Sequence, residues 1–461
     1  MTRSRGIGGL SDDEKDQLLA NTRATRLTKR TRKAPPQRRS AASDRAPKAF
    51  DFSELEAFKQ LRMQKAAADM IGIENPFFRP HAAIAADTTL IGNQRYINFA
   101  SYNYLGLNGH PKVSEAARNA IEIYGTSVSA SRIVAGERPL HRELEQALAS
   151  FHGVEDAVVM VSGHATNVTT IGQMLGPEDL IICDALIHNS IVEGARLSGA
   201  TRLMYPHNDL EALDRLLIAN RERYRHTLIA VEGLYSMDGD YPDLPTLIEL
   251  KQRHGAWLLV DEAHSVGVLG ATGHGIAEYF DINPNDVEMW MGTLSKTMSA
   301  CGGYIAGSSA LVEFLKVSAP GFVYSVGMSP PVAAAALASV QVLLAEPERV
   351  DKLKENGHLF VECAKQHGLD TGYSAGYSVV PVIVGGSVQA AMLSNRLHQR
   401  QINALPIIFP AVAEKAARLR FFITCDHTEQ QIRDTVAITA EELENVRAEG
   451  SVLSKLSGLD H

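Results

Sequence analysis

Five short apolar runs, each closed by a polar or glycine-rich turn and followed by a helical pattern, constrain this chain more than any other feature. They cover residues 157–161, 180–183, 228–231, 257–260 and 287–291. An apolar run this short, without polar alternation, predicts a strand buried on both faces, and strands that alternate with helices form a largely parallel sheet. The expected fold class is therefore α/β. In such sheets ligands collect at the carboxyl ends of the strands, so chemistry is expected in the residues just after each run. Those residues are conspicuously polar.

Past about residue 319 the pattern changes: a helical stretch over 333–346 leads into strands near 378–384 and 419–424, which predicts a smaller α+β domain. Ahead of the sheet, Leu55, Phe58, Leu61 and Met63 fall near helical spacing until Asn75-Pro76 ends the pattern. The expected organisation is a basic extension over 1–49, a helical and strand segment over 50–95, a large α/β domain over 96–330 and a small carboxyl-terminal domain over 331–461. No internal repeat is visible.

The extension is compositionally foreign to the body. Residues 1–50 hold 13 Lys plus Arg against 5 Asp plus Glu, whereas the whole 461-residue chain has 45 against 53. Its run from Thr28 to Arg39 is too polar to bury a core and is expected to be disordered. A solvated tail is the plain expectation. The sharper one is an arm for an acidic partner, an acyl carrier protein or an anionic membrane surface, because clustered cations speed encounters with anionic surfaces. Asp12, Asp13, Glu14 and Asp16 argue against a transit peptide. Cys183, Cys301, Cys363 and Cys425 lie far apart with no C-x-x-C pair, which disfavours a zinc site and a disulfide framework, so no metal is expected. No stretch approaches the roughly 18 apolar residues of a spanning helix. A cytoplasmic protein, peripheral to a membrane at most, with no nucleic-acid partner, is expected.

The run 257–260 ends in Asp261-Glu262-Ala263-His264, and the next ends in Gly292-Thr293-Leu294-Ser295-Lys296. A lysine at a sheet edge that faces a cleft is a candidate Schiff-base former, because partial desolvation lowers its pKa and frees the nucleophilic amine. Alone, such a lysine is usually a solvated surface residue. Its surroundings supply what pyridoxal 5'-phosphate (PLP) requires: an aldehyde trap, a carboxylate for the pyridine nitrogen, a stacking group and a phosphate cradle. Asp261 can keep the pyridine nitrogen protonated, and His264 can hydrogen-bond the ring hydroxyl. Ser162-Gly163-His164 opens a helix after a strand, so backbone N–H groups and the positive dipole end can hold phosphate. Thr293 and Ser295 add hydroxyl donors, and His188 can lie flat on the ring. Singly, each histidine is more often structural. Together they converge.

Four blocks then resemble the α-oxoamine synthases, PLP enzymes of fold type I: Ser101-Tyr102-Asn103-Tyr104-Leu105-Gly106-Leu107, Val260-Asp261-Glu262-Ala263-His264-Ser265, Gly270-Ala271-Thr272-Gly273-His274-Gly275, and Gly292-Thr293-Leu294-Ser295-Lys296. The resemblance runs from about Tyr96 to His427. It implies that Lys296 carries the cofactor, Asp261 pairs with its ring nitrogen, His264 meets the ring oxygen and His188 stacks on the ring. It also implies that Arg420 takes the amino-acid carboxylate, with Arg418 its structural neighbour and the two open to exchange. Asn103 and Tyr104 fall where family members line the amino-acid pocket. Ser325 matches a position that reaches the phosphate of the other subunit, which implies a homodimer with shared sites. Members condense a small amino acid with an acyl thioester and release carbon dioxide and thiol. The stretches Ala165-Thr166-Asn167, 194–201 and Glu278-Tyr279-Phe280 are most similar to serine palmitoyltransferases, so serine with a long-chain acyl-CoA or acyl carrier protein is expected, whereas Ala404-Leu405-Pro406-Ile407-Ile408-Phe409-Pro410 departs from that pattern. The glycine- and alanine-using synthases, and an ordinary aminotransferase, are the alternatives. Nucleotide hydrolysis is excluded, since the chain has no G-x-x-x-x-G-K-S/T loop.

Overall fold

The computed structural model describes residues 51–70 and 72–457. A short amino-terminal unit ends at Ala66 and the main unit begins at Ala67. In the first, Asp51 accepts the Ser53 N–H and caps a single turn, Phe52–Glu54, which precedes the helix Glu56–Met70. The helical pattern read from the sequence is thus present, with Leu61 and Met63 more than half exposed.

The main unit is built on a seven-stranded sheet. After a hairpin of β1 (Thr88–Ile91) and β2 (Gln94–Asn98) come β3 (Asp156–Met160), β4 (Leu180–Asp184), β5 (Thr201–Tyr205), β6 (Thr227–Glu232), β7 (Trp257–Asp261), β8 (Met289–Thr293) and β9 (Gly303–Gly307). Strands β3 to β9 form the sheet in the order β3-β9-β8-β7-β6-β4-β5. All run parallel except β9, which lies antiparallel between β3 and β8. Alternating side chains of one strand enter opposite layers: Leu180, Ile182, Ile229 and Val231 join the core on one face, and Ile181, Cys183, Leu228 and Ala230 that on the other. This double burial explains why these strands read as unbroken apolar runs.

Two of the seven strands were not legible as runs. In β5 the sequence TRLMY exposes every second side chain. In β9 the sequence GYIAG is poor in strand formers, and its glycines have a packing reason. A Cβ on Gly303 would come within 2.6 Å of the Gly163 Cα, so the bare backbone lets the helix Gly163–Met174 settle its first turn onto the sheet.

Toward the carboxyl end, β10 (Val379–Gly385), β11 (Ile402–Asn403), β12 (Leu405–Ile407) and β13 (Ala417–Phe422) complete the structure. An antiparallel sheet runs β10-β13-β12, while β11 returns to lie parallel to β2. The helix expected over 333–346 starts earlier, at Pro330, because proline suits a first turn whose N–H has no partner. No single helix among the described residues is long and apolar enough to cross a membrane.

Candidate active site

Register sets the site. Glu232 lies opposite Asp261 across β6 and β7, and Asp261 opposite Met291 across β7 and β8, so β6 and β7 end level while β8 runs two residues further, to Thr293. Their polar termini, with the loops after β3 and β4, line a cavity of about 260 Å³. Ser162, Gly163, His164, His188, Asp261, His264, Thr293, Ser295 and Lys296 all lie on its wall, as the strand-end reasoning required.

Asp261 is buried and fixed from two sides. Its Oδ1 accepts the Ala263 N–H at 3.0 Å and its Oδ2 accepts from Asn167 Nδ2 at 2.8 Å. The same amide nitrogen donates to Ser190 Oγ at 2.9 Å, and Ser190 Oγ meets His188 Nδ1 at 2.7 Å. A chain of contacts therefore orients both the acid and the imidazole. His188 also accepts the Ser190 N–H and caps the helix Asn189–Ser198, leaving its ring exposed to the cavity. His264 is buried; its Nδ1 meets the Tyr104 hydroxyl at 2.8 Å, and burial with the nearby Lys296 and Arg420 cations pushes its pKa well below the ordinary value, so the ring is neutral.

Lys296 follows β8 with its Nζ 5.6 Å from the centroid of the Tyr102 ring. Burial lowers its pKa to about 8 against the opposing pull of the Asp261 and Glu232 carboxylates, and Arg420 lowers it further. At neutral pH a useful fraction of the amine is free, which an exposed lysine does not offer.

Where Ser162 caps its helix through the Ala165 N–H, Thr293 Oγ1 and Ser295 Oγ sit 2.7 Å apart. A Cβ on Gly163 would stand 2.6 Å from Thr293 Oγ1, so this helix start is a cradle that any side chain would fill. The donors there are neutral N–H and O–H groups at a positive dipole end, a set suited to phosphate. Burial without partners points the same way: Glu232 Oε1, Asn167 Oδ1 and Arg420 Nε have no hydrogen-bond partner among the described residues. The residues present therefore fit PLP.

The two arginines separate. Arg418 is buried and spent: Nη1 pairs with Asp238 Oδ1 at 2.7 Å and donates to the Met237 carbonyl, while Nε donates to the Ala416 carbonyl. Arg420 is held only at Nη1, by the Ser236 carbonyl at 2.8 Å and Met237 Sδ at 3.5 Å, above the Phe422 ring.

Four expected residues lie off the cavity wall, Arg420 among them. Asn103 spends its amide on the Ala85 carbonyl and the Asn108 N–H, and Tyr104 is fully buried behind His264. Ser325 lines a separate surface groove with Ser129, Ile133, Val134 and Tyr324. Conversely, Glu232, Ser190 and the Asn167–Asp261 contact were missed. The signal for Glu232 was available, since it too closes an apolar run.

Strand order, a lysine after the sixth parallel strand and the acid that ends the strand beside it define a fold-type I, PLP-dependent transferase. The model of the aminotransferase class I and II family matches residues 94–438, and the chain belongs to that family. An 8-amino-7-oxononanoate synthase from Symbiobacterium thermophilum is 38% identical over 392 residues, 85% of this chain and 97% of that protein. Among solved structures, a Sphingomonas wittichii serine palmitoyltransferase superposes with a TM-score of 0.82 at 27% identity, covering 87% of this chain and all of that one. An 8-amino-7-oxononanoate synthase from Francisella tularensis gives 0.67 at 25%, over 76% of this chain and 98% of that one. Within the family the chain is thus an α-oxoamine synthase, a PLP-dependent acyltransferase.

Proposed function

We propose that this chain joins serine to a long-chain acyl thioester, releasing carbon dioxide and free thiol and yielding an α-amino ketone. The observation that supports the catalytic reading most is that Asp261, at the end of β7, and Lys296, three residues past the end of neighbouring β8, line one cavity. Bound PLP would supply an aldehyde for the amino acid's nitrogen and a ring that draws away the electron pair left at Cα. Asp261, held by Asn167 and Ala263, presents its carboxyl group to the ring nitrogen. His264 presents its remaining nitrogen to the ring oxygen, and the open face of His188 covers the ring. Ser162, Gly163, His164, Thr293 and Ser295 bind the phosphate. Arg420 holds the substrate carboxylate through the part of its guanidinium that is free, a planar fork matched to a planar anion. The Lys296 amine, whose lowered pKa leaves a fraction unprotonated near neutral pH, removes the Cα proton at close range.

Serine and a long acyl chain rest on the sequence blocks and on the serine palmitoyltransferase likeness in fold. Alanine with a pimeloyl thioester is the second reading, favoured by the 38% identity to an 8-amino-7-oxononanoate synthase. Ser325, away from its own cavity, serves the partner subunit's phosphate in a homodimer on this reading. The cationic extension over 1–49, the expected arm for an acyl carrier protein or anionic membrane, lies outside the described residues.

The test offers glycine, alanine and serine in turn with short, dicarboxylic and long-chain thioesters on coenzyme A or carrier protein, with products read by mass spectrometry and thiol by colorimetry. Serine with a long-chain donor should give the fastest thiol release. Preference for alanine with the dicarboxylic donor would replace the first reading by the second. Amino transfer to a keto acid without thiol release would refute both.

A further inference from the structure

A second polar cluster lies beside the site, where β4 and β5 end. Asp184, the last residue of β4, is fully buried. Its Oδ1 accepts the Leu186 N–H at 2.8 Å and its Oδ2 the Asn208 N–H at 2.9 Å, so the carboxylate shapes the loop that leads to His188. His207 then bridges two acids: Nδ1 lies 2.9 Å from Asp184 Oδ1 and Nε2 lies 2.8 Å from Asp240 Oδ2. With a carboxylate on each nitrogen the ring is an imidazolium, its pKa raised to about 10. It stands edge-on to the Tyr235 ring, with centroids 4.5 Å apart.

Asp240 belongs to a tight loop. Tyr235 N–H donates to the Asp240 carbonyl and Gly239 N–H to the Tyr235 carbonyl, both at 2.8 Å. Gly239 takes a positive φ of 73°, and a Cβ there would meet the Val379 carbonyl at 2.0 Å, so only glycine lets the loop press against β10. Within this loop sit the Ser236 carbonyl that holds Arg420, and the Asp238 carboxylate and Met237 carbonyl that hold Arg418. The loop is thus where the two arginines of β13 are anchored to the larger sheet.

We propose that His207 is a positioning residue for amino-acid recognition: as a bridge between Asp184 and Asp240 it ties the His188 arm of the site to the loop that aims Arg420. The proposal rests on the reading of Arg420 as the carboxylate group's partner. Without the bridge the loop keeps its backbone hydrogen bonds but loses its charged tether to β4. The Ser236 carbonyl then no longer holds the Arg420 guanidinium at one place over the Phe422 ring. Cofactor contacts at Lys296, Asp261 and the phosphate cradle do not run through this loop and stay as they are.

The experiment uses full-length holoenzyme carrying Asp240→Asn, His207→Gln, Arg420→Lys, or Asp240→Asn with Arg420→Lys. Amino-acid binding is followed by the change in cofactor absorbance, alongside steady-state KM for both substrates. Asp240→Asn and His207→Gln should each weaken amino-acid binding about tenfold with the thioester KM unchanged, and Asp240→Asn, which leaves the His207–Asp184 contact in place, should also keep the cofactor spectrum. In the double variant the two losses should fall short of their product, because both act on one guanidinium. His207→Gln leaves fully buried Asp184 without its cation and risks misfolding, so Asp240, whose side chain keeps 15% exposure, carries the decision. Lower thermal stability of Asp240→Asn with unchanged amino-acid binding overturns the proposal and makes the cluster purely structural. If Arg420→Lys itself leaves amino-acid binding unchanged, the reading of Arg420 falls instead.

Discussion

Replacing Glu232 by glutamine should stabilise the protein at high pH and lose that advantage at low pH. The side chain is 2% exposed, and burial together with the adjacent Asp261 charge raises its pKa from the ordinary 4.5 to about 8. Between those values the native state keeps a proton that the unfolded chain has released, so rising pH favours unfolding. A gap of about 3.5 units is worth roughly 5 kcal/mol in all, of which roughly 3 kcal/mol are already lost at pH 7. Glutamine retains an acceptor for the Ser236 N–H, now 3.1 Å from Oε2, but has no such proton to lose. Urea unfolding of both proteins at pH 5, 7 and 8.5 measures the effect. The stability difference, variant minus wild type, should climb by several kcal/mol from the lowest pH to the highest. A difference that stays constant over that range would refute the reasoning, whatever its absolute size.

Three further outcomes are expected. Lys296→Ala should take up PLP without the visible absorbance of a lysine-bound cofactor, and in the wild type the rate of uptake should rise with pH to a midpoint near 8; a midpoint above 10 would mean a solvated amine. Asn167→Ala removes the 2.8 Å donor to Asp261 and should weaken PLP about tenfold, the worth of one charged hydrogen bond, in an absorbance titration. Arg418→Ala should cost about 3 kcal/mol of unfolding free energy because it strands the buried Asp238, whereas Arg420→Ala should leave stability nearly unchanged and raise the amino-acid KM.

The parts legible in the sequence are those that doubly buried strands dictate. The apolar runs ending near Asp261 and Thr293 were long enough to read, and a strand end is where a ligand meets side chains, so Lys296, His264 and His188 could be placed before any coordinates. Strand β9 escaped because its character lies in close packing: Gly303 is there for Gly163, far away in sequence. Asn103 shows what spacing cannot convey. It sits beside the right residues in the chain, but its amide faces the Ala85 carbonyl instead of the cavity. Glu232 was passed over because an acid after an apolar run looks solvated until its neighbour in register is known. The choice between Arg418 and Arg420 turned on Asp238, a partner that spacing along β13 cannot reveal.

The return of β11 to β2 has a consequence for how the chain is made. Asn403 Nδ2 donates across it to Asn98 Oδ1 at 2.9 Å, and the Phe99 N–H donates to the Asn403 carbonyl. The hairpin that emerges early from the ribosome therefore waits for roughly three hundred further residues before its open edge is sealed, a closure that topology makes slow. During that interval β2 is a bare edge beside nascent copies of itself, and a chain stalled before residue 402 is the species that chaperones should be found holding.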